Sequence, residues 1–137
     1  MASTRREVLC GLALGVLAPG VVAGCAAGHT GQVAEFSATP GTRLGALADV
    51  PVGGAAVVNG PSGKVLLQQP TAGTVTALDA RCPHAGTTVG KPVSGVIVCP
   101  AHGSKFDATS GAVEGGPART GLPRIAVAVR GPDVVLA

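Results

Sequence analysis

Two short stretches decide the reading of this chain: Arg81-Cys82-Pro83-His84-Ala85-Gly86 and Val98-Cys99-Pro100-Ala101-His102-Gly103-Ser104-Lys105-Phe106-Asp107. Each opens with Cys-Pro and brings one histidine within two or three residues of the cysteine. Each is rich in residues that turn the chain tightly. A soft thiolate and an imidazole offered from the same turn are metal donors. For two cysteines of an exported chain, a disulfide is the default. Here each cysteine has its own histidine, and that favours a metal over a disulfide. Zinc takes Cys2His2 sets too, but such motifs usually pair Cys with Cys and His with His along the chain. Here the order is Cys-His, Cys-His.

The rest of the chain accounts for its other candidates. It has four cysteines and three histidines in 137 residues. Cys10 and Cys25 lie in the N-terminal segment, and the third histidine, His29, stands alone. Hydrophobic residues make up 46%, mostly Ala, Val and Leu, with only Phe36 and Phe106 as aromatics. With 22 glycines and 11 prolines, turns must be frequent and long helices few. The formal charge is +3, from scattered cations without interleaved aromatics, so nucleic-acid binding is not expected.

The pattern predicts short strands. Ala55 to Asn59 and Lys64 to Gln69 flank Gly60-Pro61-Ser62-Gly63, a hairpin signal. Thr74 to Asp79 leads into the first cysteine stretch and Gly95 to Val98 into the second. Phe106-Asp107 and Ala112-Val113 bracket another turn, Ala108 to Gly111. The segment Thr87 to Val98, with Gly90, Pro92 and Gly95, is expected to form a compact hairpin between the two stretches. Arg124 to Arg130 and Asp133 to Leu136 close the fold around Gly131-Pro132. The run Ile125-Ala126-Val127-Ala128-Val129 also fits a strand buried on both faces. No segment has a helical period.

The two cysteine stretches resemble the boxes of Rieske iron–sulfur proteins. The resemblance implies an all-β fold, a small antiparallel β-sandwich with an inserted cluster-binding subdomain. It implies one 2Fe–2S cluster as cofactor, with Cys82 and Cys99 on one iron and His84 and His102 on the other. Ser104 matches the family's serine, whose hydroxyl bonds a bridging sulfide. Gly115-Gly116-Pro117-Ala118 is similar to the loop that covers the cluster from one side. Two thiolates carry less negative charge than four, so imidazole ligation raises the reduction potential. The histidines are expected nearer the surface than the cysteines.

Departures from the family pattern are informative. Quinol-oxidising members carry one more cysteine in each box, joined as a disulfide; Thr87 and Ala101 stand there in this chain. A tyrosine that bonds a cysteine sulfur in those members is Phe106 here. The loss of that bond implies a lower potential. Fourteen residues separate His84 from Cys99, fewer than the family norm.

The N-terminus reads as an address. Arg5-Arg6 between Ser3-Thr4 and the apolar run Val8 to Ala23 resembles a twin-arginine export signal. Pro19 and several glycines interrupt that run, which is too short for a spanning helix. It ends in Val22-Ala23-Gly24-Cys25, similar to a bacterial lipobox, where lipid is attached to the cysteine. The domain reading is therefore residues 1–24 as signal peptide, 25–43 as a lipidated tether and 44–137 as the cluster domain. Localisation is expected at the outer face of the bacterial cytoplasmic membrane, anchored through Cys25.

The implied function is a one-electron carrier, an oxidoreductase only together with redox donor and acceptor proteins. Catalytic residues are not expected. An oxygenase would need a further mononuclear iron site, usually two histidines and a carboxylate, and only His29 remains. The alternative is a small subunit of a larger membrane-associated oxidoreductase or quinol-oxidising complex.

Overall fold

A computed structural model describes residues 39–137; the proposed signal, Cys25, His29 and most of the tether lie outside the described residues. Ten strands form three antiparallel sheets. β1 (Arg43–Ala46), β10 (Asp133–Leu136) and β9 (Val127–Arg130) make the first, in the order β1-β10-β9. β2 (Gly54–Gly60), β3 (Gly63–Thr71), β4 (Thr74–Asp79) and β8 (Arg124–Ile125) make the second, in chain order. β5 (Val96–Val98), β6 (Lys105–Asp107) and β7 (Val113–Gly115) make the third, and carry the second cysteine stretch between β5 and β6. The one helical element among the described residues is a single 3-10 turn, Leu47–Asp49.

Strand alternation explains how three sheets share two cores. On β3, Val65 and Leu67 face the first sheet, in a cluster with Leu44, Ala77, Val134 and Leu136. Leu66, between them, faces the other way, in a cluster with Leu78, Ile97, Phe106, Cys82 and Cys99. β3 is thus buried on both faces, with Val65 through Gln69 all buried. Sequence pattern had also offered Ile125 to Val129 for that role. Instead the chain changes sheets at exposed Ala126: Ile125 pairs with Ala77 in the second sheet, Val127 with Leu136 in the first. A strand that crosses between layers cannot be covered twice.

Other expectations hold with small shifts. The β2–β3 hairpin closes on the pair Gly60↔Gly63. Arg43, assigned to the tether by sequence, begins β1 and pairs with Val135. The hairpin between the cysteine stretches is tight: Val93 and Val96 exchange N–H···O bonds of 2.9 and 3.0 Å. Its two central residues, Ser94 and Gly95, both have positive φ (51° and 79°), as a type I′ turn requires.

The β6–β7 turn is locked by Asp107. Its Oδ1 accepts N–H bonds from Thr109 (3.0 Å) and Ser110 (2.6 Å) and the Ser110 hydroxyl (2.7 Å). The Ser110 bonds, with Thr109 and the nearby Arg124 charge adding to them, hold the carboxyl below the usual carboxylate range. A depressed native pKa contributes stability above the unfolded value of about 4, lost as pH falls through the native one. Asp107→Asn should therefore be less stable than wild type at neutral pH. The difference should close on acidification below about pH 4, read from urea unfolding at several pH values.

Candidate metal centre

Both cysteine stretches are hairpin ends with the same backbone frame. In the first, the Cys82 N–H donates to the Thr87 carbonyl (2.8 Å), and the Cys82 carbonyl accepts from the Gly86 N–H (2.8 Å). In the second, the Cys99 N–H donates to the Ser104 carbonyl (2.8 Å), and the Cys99 carbonyl accepts from the Gly103 N–H (3.0 Å). The i→i+5 and i→i+4 pattern repeats bond for bond. Gly86 and Gly103 have nearly the same left-handed φ, 73° and 74°. The histidine spacing differs by one residue, yet the two frames match.

The frames sort the donors by depth. Cys82 and Cys99 are 2% and 1% exposed, and both thiols are free. His84 and His102 are exposed and stand edge to face, with ring centroids 4.8 Å apart. The expectation of buried thiols and surface imidazoles is met. Among the described residues no three His, Cys, Asp or Glu side chains converge on one ion position. A mononuclear zinc site asks for four such donors around one ion. A two-iron cluster asks for two per iron, and the two thiols and two rings fit that demand.

The surroundings fix these loops. Ser104 is fully buried, and its Oγ accepts the Ala118 N–H at 3.1 Å. That bond uses an oxygen lone pair and leaves the hydroxyl proton free to be donated. Gly116 presses directly on the Ser104 backbone, so the Gly115–Ala118 segment lies against the second loop. Phe106 is fully buried in the cluster that holds both cysteines.

Sequence reasoning missed two supports. Buried Asp79 grips Arg81, the residue before Cys82, through Oδ2···Nη2 at 2.7 Å and accepts the Arg81 N–H at 2.9 Å. Hydrogen bonding and charge from Asp79 raise the Arg81 pKa. The Asp-x-Arg-Cys spacing was the available signal. Gln68 of β3 donates Nε2 to the Ala108 carbonyl at 2.8 Å, tying the second sheet to the third. No sequence feature marks that bond.

A model of the Rieske [2Fe-2S] domain matches residues 42–126. A Haloferax mediterranei protein, named as a respiratory nitrate reductase Rieske subunit, is 41% identical over 63 residues. The match covers 45% of this chain and 29% of that protein, so the chain spans less than a third of its relative's length. The solved plasma membrane Rieske protein of Synechocystis PCC 6803 is 35% identical with a TM-score of 0.59, over 70% of this chain and 98% of that one. The ferredoxin of carbazole 1,9a-dioxygenase from Nocardioides aromaticivorans IC177 has a TM-score of 0.60 over 72% of this chain and 98% of its own. At 23% identity, that likeness is one of fold.

Proposed function

Because this chain belongs to the Rieske [2Fe-2S] domain family, and so carries one Rieske-type cluster in an electron-carrier fold, we propose that it works as a one-electron relay tethered outside the cytoplasmic membrane. The observation that carries the reading is the pair of matched loop frames, with two buried thiols and two adjacent exposed imidazoles. Cys82 and Cys99, both buried, would hold one iron. His84 and His102 would hold the other, and their exposed edges would be the contact for a donor or acceptor protein. Ser104, with an oxygen lone pair taken by the Ala118 N–H, would offer its hydroxyl proton as a hydrogen-bond donor to the cluster. Bound there, the cluster supplies a couple that takes up and returns one electron.

The environment sets the potential below that of quinol-oxidising members. Hydrogen bonds to sulfur favour the more negative, reduced state, and Phe106 offers none. Phe106→Tyr should raise the potential. One net hydrogen bond of about 0.5–1.5 kcal/mol corresponds to roughly 20–60 mV for one electron. Protein-film voltammetry of the two proteins checks this.

Location rests on Arg5-Arg6 and on Gly24-Cys25. The 35%-identical Synechocystis protein is itself described as a plasma membrane Rieske protein, in keeping with that location. Twin-arginine export carries folded proteins, so a cluster inserted in the cytoplasm survives the passage. Replacing both Arg5 and Arg6 by lysine should leave loaded protein inside the cell. Cell fractionation that still finds loaded protein outside counts against the export route. A second reading, a small subunit docked on a larger oxidoreductase, is favoured by the Haloferax relative's name. Copurification of the lipidated chain with a fixed partner selects between them.

A further inference from the structure

The two loops meet no disulfide, and the side chains at Thr87 and Ala101 cannot make one. The main chain between them supplies another link. After the first loop, Thr88 forms an antiparallel bridge with Arg81, and the Val89 N–H donates to the Ala80 carbonyl at 2.8 Å. One residue later the Gly90 N–H donates to the Val98 carbonyl at 3.1 Å. Ala80-Arg81 delivers the chain into Cys82, and Val98 delivers it into Cys99. Residues 88–90 are therefore bonded on one side to the strand entering the first loop and on the other to the strand entering the second. Val89 is 2% exposed, in the same apolar cluster as Cys82 and Cys99. We propose that this three-residue segment is the brace that fixes the two metal-binding loops relative to each other, with Gly90 as its positioning residue. This rests on the reading of the loops as one two-iron centre.

The mechanism is distributive. Each loop alone offers one thiol and one imidazole, half of the donors for either iron. Holding a cluster therefore depends on the distance between loops as much as on the loops themselves. The Gly90 bond closes that distance without passing through the metal. It is local in sequence to both loops because the connection is short. Val93–Val96 folds the remainder into a tight turn, so little slack separates the brace from β5.

Two substitutions separate the bond from the bulk. A Cβ at Gly90 would meet only the Val98 carbonyl oxygen, at 3.4 Å, so Gly90→Ala keeps the N–H with ordinary contact. Gly90→Pro removes the N–H, and the residue before it already lies in an extended, bridged segment that a following proline favours. Both are loaded and checked by electron paramagnetic resonance, then challenged with a ferrous chelator while the visible absorbance is followed. The proline variant should release the cluster about tenfold faster than wild type, the value of one hydrogen bond. The alanine variant should stay within about twofold, well under one such bond. The surviving proline-variant signal should be broadened, reporting a wider spread of loop geometries. Equal release rates from both variants, each with its Rieske signal, overturn the brace but leave the centre intact. A chain with no Rieske signal overturns the reading beneath it. Should the proline variant not fold, hydrogen-exchange mass spectrometry of the wild-type chain decides. Amides of Val89 and Gly90, the two that donate across the brace, protected as well as those of β5 and β6 support it, and fast exchange at both overturns it.

Discussion

Alanine at Cys82 or Cys99 should abolish the cluster, taking iron from two per chain to none, while alanine at Cys10 or Cys25 should leave it in place. The four cysteines divide by setting. Cys82 and Cys99 sit in the two matched hairpin frames, nearly buried, each with its N–H and carbonyl already used by the loop. Their thiols are the only groups of those residues left for the metal. A cluster that loses one thiolate has an iron with an open position and no nearby replacement. Ser104, the one buried hydroxyl among the described residues, already accepts the Ala118 N–H. The folding cost is much smaller. Trimming a nearly buried thiol to a methyl removes about one heavy atom from the core, roughly 1 kcal/mol. The variants should therefore remain purifiable but colourless, which iron analysis and visible absorbance would show.

Gly116→Ala should be the most damaging single-methyl addition near the centre. Gly116 has φ of +84°, where any other L-residue costs about 1 kcal/mol. The new Cβ would lie 2.5 Å from Ser104 Cα, 2.9 Å from its nitrogen and 3.1 Å from the Gly103 carbonyl oxygen. All three are backbone atoms of the second loop, so no side-chain rotation relieves the clash. Either the Gly115–Ala118 segment lifts off or the second loop moves. Lifting breaks the Ala118 N–H···Ser104 bond and uncovers a buried hydroxyl. Backbone strain, the lost bond and the uncovered packing together predict about 3 kcal/mol or more of lost stability. The potential should shift too, because Ser104 loses the partner that orients it. Gly73→Ala is the control: its φ is +80°, but nothing lies within 4 Å of the added methyl. It should cost only the backbone term, about 1 kcal/mol. Urea unfolding of the two variants measures the difference.

What the sequence conveyed follows from which interactions are local. β4 was legible as Thr74–Asp79 because a turn signal and a cysteine box bound it on either side. The paired boxes were legible because ligand chemistry, spacing and loop residues all sit within a few positions. The exposed placement of His84 and His102 followed from the same logic. Double burial was harder to place. Ile125 to Val129 has the apolar character of a central strand, but it is β3, with β2 and β4 beside it, that lies between both cores. That fact depends on where the third sheet packs, not on β3's own composition. The 3-10 turn at Leu47–Asp49 and the start of β1 at Arg43 carry no strong local signal. The Asp79–Arg81 grip is local, and its Asp-x-Arg spacing was there to be read; the Gln68 tie and the Gly116 contact join residues distant in sequence, so they emerge only once the strands are placed.

Electron paramagnetic resonance of the dithionite-reduced full chain tests the central claim most directly. Two imidazoles on one iron and two thiolates on the other would make the reduced centre electronically lopsided. The account predicts a rhombic signal with an average g value below that of four-cysteine 2Fe–2S clusters, with two irons per chain and loss of the signal in Cys99→Ala. A silent spectrum from protein containing stoichiometric zinc would contradict it.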